Sequence, residues 1–387
     1  MDKIPEIDGL RALAILLVVL WHYVGASSEI GSASILWKLT IFGRSGVDLF
    51  FVLSGFLITR ILLRNKGSKN YFSVFYARRA LRILPIYYAM ILVCAIASMV
   101  HFAPALFDGQ IPLWTYVVGL QNLWMTARET YGAIWLAGTW SLAIEEQFYL
   151  LFPAVIALTS ERRLRALLIA IIVLCPILRV FAWWHGGALA TYGYYVLTPL
   201  RADNLAIGAI IALYAEGGAD NRRLQTIANF MLIATSVFFP IYAIAIATDT
   251  DVQMAIWGHT YLGLFYGSLL FAVLKRRGSP SLAILRSRTA QFFARISYAL
   301  YLVHVCVALL ISLTFHLSRD VSTWQGVGVA LSAFALSAAI CALSATYFEL
   351  PLIRFSQRYF RYGGARPNAR TAFAGVSDKP AREPLSY

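Results

Sequence analysis

The first apolar segment of the chain, residues 7–24, carries an arginine and a histidine whose spacing could serve chemistry. Arg11 and His22 are eleven positions apart. On an α-helix this spacing is three turns plus about 20°, so both side chains project from one face, about 16 Å apart along the axis. Ionisable groups inside a membrane helix are costly and usually mark a pathway or a reaction centre. A cation near the membrane surface and a deeper imidazole could hold the two ends of one long ligand, a phosphate and a reactive carbonyl.

The composition of the chain indicates an integral membrane protein. The 387 residues are 59% hydrophobic and only 13% charged. Apolar runs of about 20 residues, the length that crosses a bilayer, recur from end to end. The pattern predicts an all-α, polytopic helical bundle of about ten transmembrane helices. The expected spans are residues 8–25, 43–63, 80–100, 139–158, 165–184, 201–215, 226–246, 257–274, 292–313 and 324–348.

The distribution of basic residues predicts the orientation of this bundle. Lys and Arg are concentrated in segments 60–82, 161–165 and 275–295 and in the tail from Arg354. With ten helices these segments all fall on one side, which the positive-inside rule assigns to the cytoplasm together with both termini. Membrane topology therefore accounts for the net charge of +14, and nucleic-acid binding is not expected.

The chain is expected to form one membrane domain, residues 1–355, and a cytoplasmic tail, residues 356–387, that is predicted to be disordered because it loses apolar periodicity. Acidic residues balance Lys3 before the first apolar segment, which is therefore interpreted as a retained helix rather than a signal peptide. No metal site or disulfide is predicted, because the four cysteines are scattered among the expected helices.

Residue counting along the expected spans places several polar side chains at one depth. Glu145, Glu146 and Asp48 come out level with His22, in the outer half of the bilayer. Polar groups in hydrocarbon must find partners, so a buried, hydrated pocket is expected at this level. Further candidates for lining this pocket are His304, Arg201, Asp203 and Trp140.

A second cluster of charge is expected at the cytoplasmic face. Arg79 and Arg82 are three residues apart, hence neighbours on the surface of a helix that begins near them. A helix N-terminus with such neighbours favours phosphate, and Arg11 enters at the same face. Arg78 is interpreted as a topogenic charge that faces lipid headgroups, an interpretation that stays open for Arg79 and Arg82.

Six motifs together resemble the acyltransferase 3 family over about residues 4–355. They are IPEIDGLRAL at 4–13, the Arg11–His22 spacing, Asp48 with FVLSGF at 51–56, Arg-x-x-Arg at 79–82, WSLAIEEQFY at 140–149 and ISYxLYxxH at 296–304. The resemblance implies a multi-pass enzyme of the bacterial inner membrane that moves acyl groups, most often acetyl, from cytoplasmic acyl-CoA to hydroxyl groups. The implied acceptor is a cell-surface or exported polysaccharide, or a small molecule such as a macrolide. Acetyl-CoA would be the donor substrate, and no bound cofactor is expected.

The family's Arg-x10-His and Arg-x-x-Arg motifs map onto Arg11 with His22 and Arg79 with Arg82, and the chemistry of these residues independently predicts their roles. Arg11, Arg79 and Arg82 would bind acyl-CoA, and His22 would be the base that activates the hydroxyl, since imidazole titrates near neutrality. A core histidine satisfied by a carbonyl is the structural alternative for His22. Larger members carry a fused SGNH-type esterase-like domain that these 387 residues lack, which favours direct transfer.

The carboxylates Glu145, Glu146 and Asp48 could orient His22, as the third member of a catalytic triad does. The glutamates could instead form structural ion pairs with buried arginines. A nucleophilic Ser54 is not favoured, because no nucleophile elbow surrounds it.

Two further interpretations concern other parts and other classes of protein. The long outer loop, residues 101–138, is rich in Trp and Tyr and is either an interfacial aromatic belt or a sugar-stacking lid. A transporter of acyl or glycan substrates would also carry charges at the midplane, but neither an inverted repeat nor a pair of broken helices is evident. A non-catalytic scaffold would leave the Arg11–His22 spacing unexplained.

Overall fold

The computed structural model describes residues 4–26, 37, 40–216, 222–248 and 250–364. The described residues form helices and no β-strand, which confirms the predicted all-α class. The tail predicted to be disordered comprises residues 356–387. Its part from residue 365 onward lies outside the described residues.

The long helices are numbered in chain order. They are α1 (Pro5–Leu20), α2 (Gly46–Asn65), α3 (Tyr71–Met99), α4 (Trp140–Leu158), α5 (Glu161–His185), α6 (Thr198–Glu216), α7 (Arg222–Val237), α8 (Phe239–Thr248), α9 (His259–Lys275), α10 (Arg288–Phe315), α11 (Trp324–Ser344) and α12 (Leu350–Tyr359). π-helical turns at Trp21–Gly25, Leu189–Gly193, Met254–Gly258 and Ala345–Glu349 and 3₁₀ turns at Phe42–Ser45 and Pro280–Arg286 extend or join them. Short helices occupy Pro104–Phe107, Leu113–Val117, Gln121–Ala127, Ile134–Ala137, Tyr194–Val196 and Thr250–Gln253.

Nine helical segments of the described chain are long and apolar enough to cross a membrane. They contain α1 to α6, α9, α10, and α11 joined to α12. The predicted span 226–246 is instead two helices, α7 and α8, that are interrupted at Phe238. Pro240 lies just after the interruption and has no backbone N–H to donate, so the helical hydrogen-bond pattern cannot run through it unbroken.

Helices α2 and α6 form the centre of the bundle, and they are among the most buried of the nine segments. Two glycines allow their backbones to touch: a Cβ on Gly55 would lie 2.0 Å from the carbonyl oxygen of Leu205, and one on Gly208 would lie 2.0 Å from that of Val52. Small residues permit this close approach between membrane helices, where van der Waals packing drives association.

Helix α1 packs between α2 and α10. It contacts α10 at two levels, through Arg11 with Ser297 and through His22 with His304, so the two helices run in the same direction. The face of α1 that carries Arg11 and His22 is therefore turned toward α10 and the interior of the protein.

Candidate active site

The first cavity lies where α1, α2, α3, α4 and α10 meet, and it encloses about 800 Å³ of empty space including its mouth. We call it the arginine cavity and define it by Arg11, Ser54, Arg79, Arg82, Glu145 and Tyr149. The three arginines predicted to bind one anionic ligand thus share one space, although they come from two helices.

The guanidinium groups that line the arginine cavity form few hydrogen bonds with the described residues. Arg11 donates to Oγ of Ser297 at 3.0 Å, and Arg79 lies over the ring of Tyr149, 5.2 Å from its centroid. In the described part of the chain, neither Arg79 nor Arg82 forms a hydrogen bond or ion pair. Guanidinium groups bind phosphate through charge-assisted hydrogen bonds, so this cavity is suited to a phosphorylated ligand.

The adjacent Arg78 behaves differently from this pair. Its Nε donates to the carbonyl oxygen of Phe360 at 2.7 Å, and its guanidinium lies over the ring of Tyr362. Arg78, interpreted from the sequence as a lipid-facing charge, instead fastens the chain that follows α12 to the start of α3.

Glu145 brings one carboxylate into the arginine cavity. It accepts a hydrogen bond from the hydroxyl of Ser54 and lies within electrostatic range of Arg11 and Arg79. Glu146, the next residue, projects about 100° further round α4. One of its carboxylate oxygens is buried with no hydrogen-bond partner among the described residues.

The second cavity has about 840 Å³ of empty space including its mouth, and it lies further along α1, beside the π-helical turn Trp21–Gly25. We call it the histidine cavity and define it by Trp21, His22, Arg44, Trp135, Trp140, Tyr195 and His304. π-helical turns inside α-helices occur frequently at functional sites, and this one carries His22 into the cavity. The lining combines two imidazoles with several large aromatic rings.

His22 and His304 contact each other across the histidine cavity. Nε2 of His304 lies 3.1 Å from Nδ1 of His22. Nδ1 of each ring also lies 2.9 Å from a carbonyl oxygen of its own helix, Val18 for His22 and Leu300 for His304. The two imidazoles therefore form a connected pair that is anchored at both ends to backbone.

One wall separates the two cavities, and Val47 and Tyr301 line both of them. The hydroxyl of Tyr301 lies 2.7 Å from Oγ of Ser141 and donates to the carbonyl oxygen of Gly138 at 3.1 Å. Phe50 packs edge-on against its ring, with centroids 6.2 Å apart. Arg11 and His22 share one helix face, as predicted, but they open into different cavities.

The carboxylates expected to orient His22 are placed elsewhere. Residue counting gave each group a depth but not the face of its helix: Glu145 faces the arginine cavity, and Asp48 faces α6 and α9. His304 occupies the position beside His22 that was predicted for a carboxylate. Participation of Glu145, Glu146 or Asp48 in the reaction stays a prediction.

Asp48 belongs to a buried polar network. Its Oδ1 accepts from Arg201 at 3.0 Å and from Nδ2 of Asn204 at 2.6 Å, and it lies 3.1 Å from Nδ1 of His259. Arg201 also lies over the ring of Trp140, 5.8 Å from its centroid, so this network supports the aromatic lining of the histidine cavity from behind.

A second ion pair lies beside this network. Arg179 donates to Oδ2 of Asp203 at 2.9 Å, and Thr260 donates to the same oxygen at 2.7 Å. Arg179 and Arg201 thus pair with aspartates, not with the glutamates of α4. Asp203, predicted to line the pocket, lies in this structural pair.

His259 was not predicted from the sequence as part of a buried network, although a histidine at the start of an expected span was a usable signal. Among the described residues, no group of three or more His, Cys, Asp or Glu side chains is arranged to hold a metal ion. The four cysteines are buried, unpaired thiols.

Only part of the loop of residues 101–138 lines the histidine cavity. Trp135 lines the histidine cavity and donates from Nε1 to the carbonyl oxygen of Met90 at 3.0 Å. Trp114 packs edge-on against Trp124, with centroids 5.0 Å apart, and is itself half exposed. The loop therefore combines an aromatic side chain at the cavity with others at the periphery.

The fold and the comparisons together define the class of protein. The nine segments among the described residues that are long and apolar enough to cross a membrane, together with the membrane acyltransferase relatives reported below, make this a multi-pass membrane protein. A family model described as an acyltransferase domain matches residues 4–346, so the chain belongs to the acyltransferase 3 family, as the motifs indicated.

Curated relatives are similar at modest identity. The chain is 28% identical over 370 residues to "Peptidoglycan O-acetyltransferase OatA" of Listeria monocytogenes, which covers 90% of this chain and 56% of that protein. It is 29% identical over 324 residues to "Putative peptidoglycan O-acetyltransferase YrhL" of Bacillus subtilis, covering 79% of this chain and 49% of that protein. The chain thus spans about half the length of these relatives. No solved structure matches it.

Proposed function

We propose that this protein is an O-acyltransferase of the bacterial inner membrane that moves an acyl group, acetyl in the first instance, from cytoplasmic acyl-CoA to a hydroxyl of a cell-surface or exported polysaccharide. One observation carries the proposal: an arginine-lined cavity and a histidine-lined cavity lie on opposite sides of a single wall at Val47 and Tyr301. Acyl transfer from a phosphorylated thioester requires a site that binds the anionic carrier and a base that accepts the proton of the hydroxyl. The two cavities offer one of these each.

The arginine cavity is the proposed donor site. Arg11, Arg79 and Arg82, which all line this cavity, would hold phosphate groups of the donor. The pantetheine arm is uncharged and slender, so it could pass between Ser54 and Tyr301 and carry the thioester toward His22. This arrangement keeps the charged part of the donor out of the apolar interior, where it would be costly.

The arginine cavity is proposed to face the cytoplasm. Arg60 and Arg64 pair with Glu216 where α2 ends, and Asn70 binds the carbonyl oxygen of Arg361 beside the start of α3. These basic segments lie at the end of the bundle that carries Arg79. The positive-inside rule assigns such an end to the cytoplasm.

The histidine cavity is the proposed acceptor site. Its aromatic side chains, Trp21, Trp135, Trp140 and Tyr195, offer flat apolar faces with few polar groups between them, a lining suited to the rings of a saccharide. The names of the relatives support a glycan acceptor such as peptidoglycan. A macrolide acceptor would be activated by the same base, and it would differ from a glycan only in how it fits against these aromatic rings.

His22 is the proposed general base. The acceptor hydroxyl transfers its proton to the imidazole as its oxygen attacks the thioester carbonyl carbon. The new C–O bond forms, the C–S bond breaks, and the imidazolium returns the proton to the departing thiolate of CoA. General base catalysis of this kind contributes about 10²–10⁴-fold to rate.

The test is acyl transfer in oriented proteoliposomes. Radiolabelled acetyl-CoA is supplied on the side of Arg79, and a soluble peptidoglycan fragment is confined to the other side. Labelled ester should form on the fragment, and purified His22→Ala should lose at least about 10²-fold of this turnover while its melting temperature stays native. Near-native turnover by His22→Ala would refute the base assignment.

The same preparation separates the alternatives. Accumulation of unmodified fragment or unmodified acetyl-CoA across the bilayer, without ester, would indicate a transporter. Ester formation only when both substrates share the Arg79 side would indicate an intracellular acceptor, and it would refute an outward-facing acceptor site.

A further inference from the structure

His304 is a buried histidine whose hydrogen-bonding state is fixed by its surroundings, since only 2% of its surface is exposed. Its Nδ1 lies 2.9 Å from the carbonyl oxygen of Leu300. A carbonyl oxygen only accepts hydrogen bonds, so Nδ1 of His304 carries the proton. In the neutral ring, Nε2 of His304 is then an acceptor, and this atom faces His22.

The tautomer of His22 follows from the same reasoning. Its Nδ1 has two acceptors within reach, the carbonyl oxygen of Val18 at 2.9 Å and Nε2 of His304 at 3.1 Å. Nδ1 of His22 must therefore be the protonated nitrogen. The lone pair of the neutral imidazole is then on Nε2, which is the nitrogen required to act as a base.

His304 is itself held in place by a third residue. The hydroxyl of Tyr23 donates to the backbone carbonyl oxygen of His304 at 2.8 Å and lies 3.3 Å from Oγ of Ser337. This contact ties the π-helical turn of α1, the middle of α10 and α11 together. The spacing between the two imidazoles is thus determined by the packing of three helices.

From this geometry we infer that His304 is a positioning residue for the transfer reaction: its Nε2 holds His22 in the Nδ1–H tautomer and accepts the hydrogen bond of the imidazolium that forms. The inference rests on the proposed role of His22 as the base. When Nε2 of His22 takes the hydroxyl proton, the Nδ1–H···Nε2 bond becomes charge-assisted and stronger. His304 thereby orients the catalytic imidazole and stabilises the imidazolium, as the aspartate does in a Ser-His-Asp triad, but through a neutral acceptor atom.

Two amide substitutions test which nitrogen matters. The side-chain oxygen of His304→Gln can occupy the position of Nε2 and accept from His22, whereas the shorter His304→Asn ends near the position of Nδ1. We expect His304→Gln to keep kcat within about tenfold of native, and His304→Asn to lose about 10²-fold in kcat with an unchanged KM for acetyl-CoA. His316→Gln and His316→Asn, at the exposed end of the same helix, are matched controls that should retain native kcat.

The tautomers can also be measured in the native protein, which needs no variant to fold. Nitrogen-15 NMR of histidine-labelled protein in nanodiscs, assigned with His22→Ala and His304→Gln, should show Nδ1 protonated and Nε2 unprotonated in both rings. Protonation of Nε2 in His22 would overturn the inference. Equal kcat values for His304→Gln and His304→Asn would also overturn it.

The two proposals fail separately. If His22→Ala retains turnover, the base assignment is wrong, and the inference fails with it. If His22→Ala is inactive but His304→Asn keeps native kcat, only the positioning role is refuted. In the double variant His22→Ala/His304→Asn, the second change should add no further loss, because His304 acts through His22.

Discussion

The hydroxyl of Tyr301 lies 2.7 Å from Oγ of Ser141, and this contact joins α10 to α4 across the wall between the arginine cavity and the histidine cavity. Because Tyr301 lines both cavities, its ring stands on the proposed route of the acyl group. We therefore expect the Tyr301 ring, which this contact helps to hold in place, to form the barrier between the two cavities.

Removal of the Tyr301 ring should uncouple the reaction. Tyr301→Ala opens the wall and admits water to the thioester, so hydrolysis of acetyl-CoA without acceptor should rise severalfold over native. Tyr301→Phe keeps the ring and loses only the hydroxyl contacts, so its hydrolysis should stay closer to native. Release of labelled acetate measures both rates, and equal rates in the two variants would contradict a barrier role for the ring.

The arginine pair should determine donor affinity. Arg79→Ala and Arg82→Ala each remove charge-assisted hydrogen bonds worth about 1.5–3 kcal/mol, so the Kd for acetyl-CoA should rise about tenfold to a hundredfold. Native affinity should also weaken with added salt, which screens exposed charge pairs.

Arg78→Ala is the matched control for this pair. Arg78 is adjacent in sequence but binds the backbone of Phe360, so its loss should leave donor affinity unchanged. Calorimetric titration with acetyl-CoA makes the comparison. An unchanged Kd in both Arg79→Ala and Arg82→Ala would return these residues to a purely topogenic role.

Asp48 should contribute to stability. Asp48→Ala leaves Arg201 buried without its carboxylate, a change that destabilises proteins by about 3–5 kcal/mol. Glu161→Ala breaks an exposed pair with Arg165 on α5 and should cost less than about 1 kcal/mol. Unfolding in detergent, followed by circular dichroism, compares the two. A small loss in Asp48→Ala together with lost turnover would instead support the catalytic role predicted from the sequence.

The glycine contact between α2 and α6 should be intolerant of a methyl group. Gly55→Ala forces the backbones of the two helices apart, at a cost of about 1–3 kcal/mol. Gly328→Ala in α11 meets no atom within 4 Å and should be neutral or stabilising, as alanine in a helix usually is. Thermal unfolding of both variants measures this difference, and equal melting temperatures would contradict the proposed close approach.

The sequence predicted the class of the fold and the membership of the arginine cavity more completely than the arrangement of the histidine cavity. Apolar length is a local property, so the spans could be counted, except where Pro240 divides one of them. Arg11, Arg79 and Arg82 were grouped because residue counting placed them at one face of the bundle. The helix that carries Arg79 and Arg82 begins at Tyr71, so the prediction that they lie at its N-terminus was wrong.

The partners of His22 could not be predicted in this way. Depth follows from residue number, but the direction of a side chain also depends on the rotation of its helix, which is set by packing such as the contact of Gly55 with α6. Residue counting therefore put Asp48 level with His22 without revealing that it turns toward Arg201. The contact of His259 with Asp48 and the contact between Nε2 of His304 and Nδ1 of His22 depend on the same long-range packing.

The wall at Tyr301 also bears on the electrical insulation of the bilayer. In the proposed orientation the two cavities open toward opposite faces, so much of the membrane voltage falls across the thin layer formed by Val47 and Tyr301. Moving one elementary charge through such a field changes its energy by about 2.3 kcal/mol per 100 mV. An acetyl group is neutral and crosses without electrical work, whereas a proton would be driven inward. A ring that yields only to the acyl group would let the cell modify its exterior without discharging its membrane.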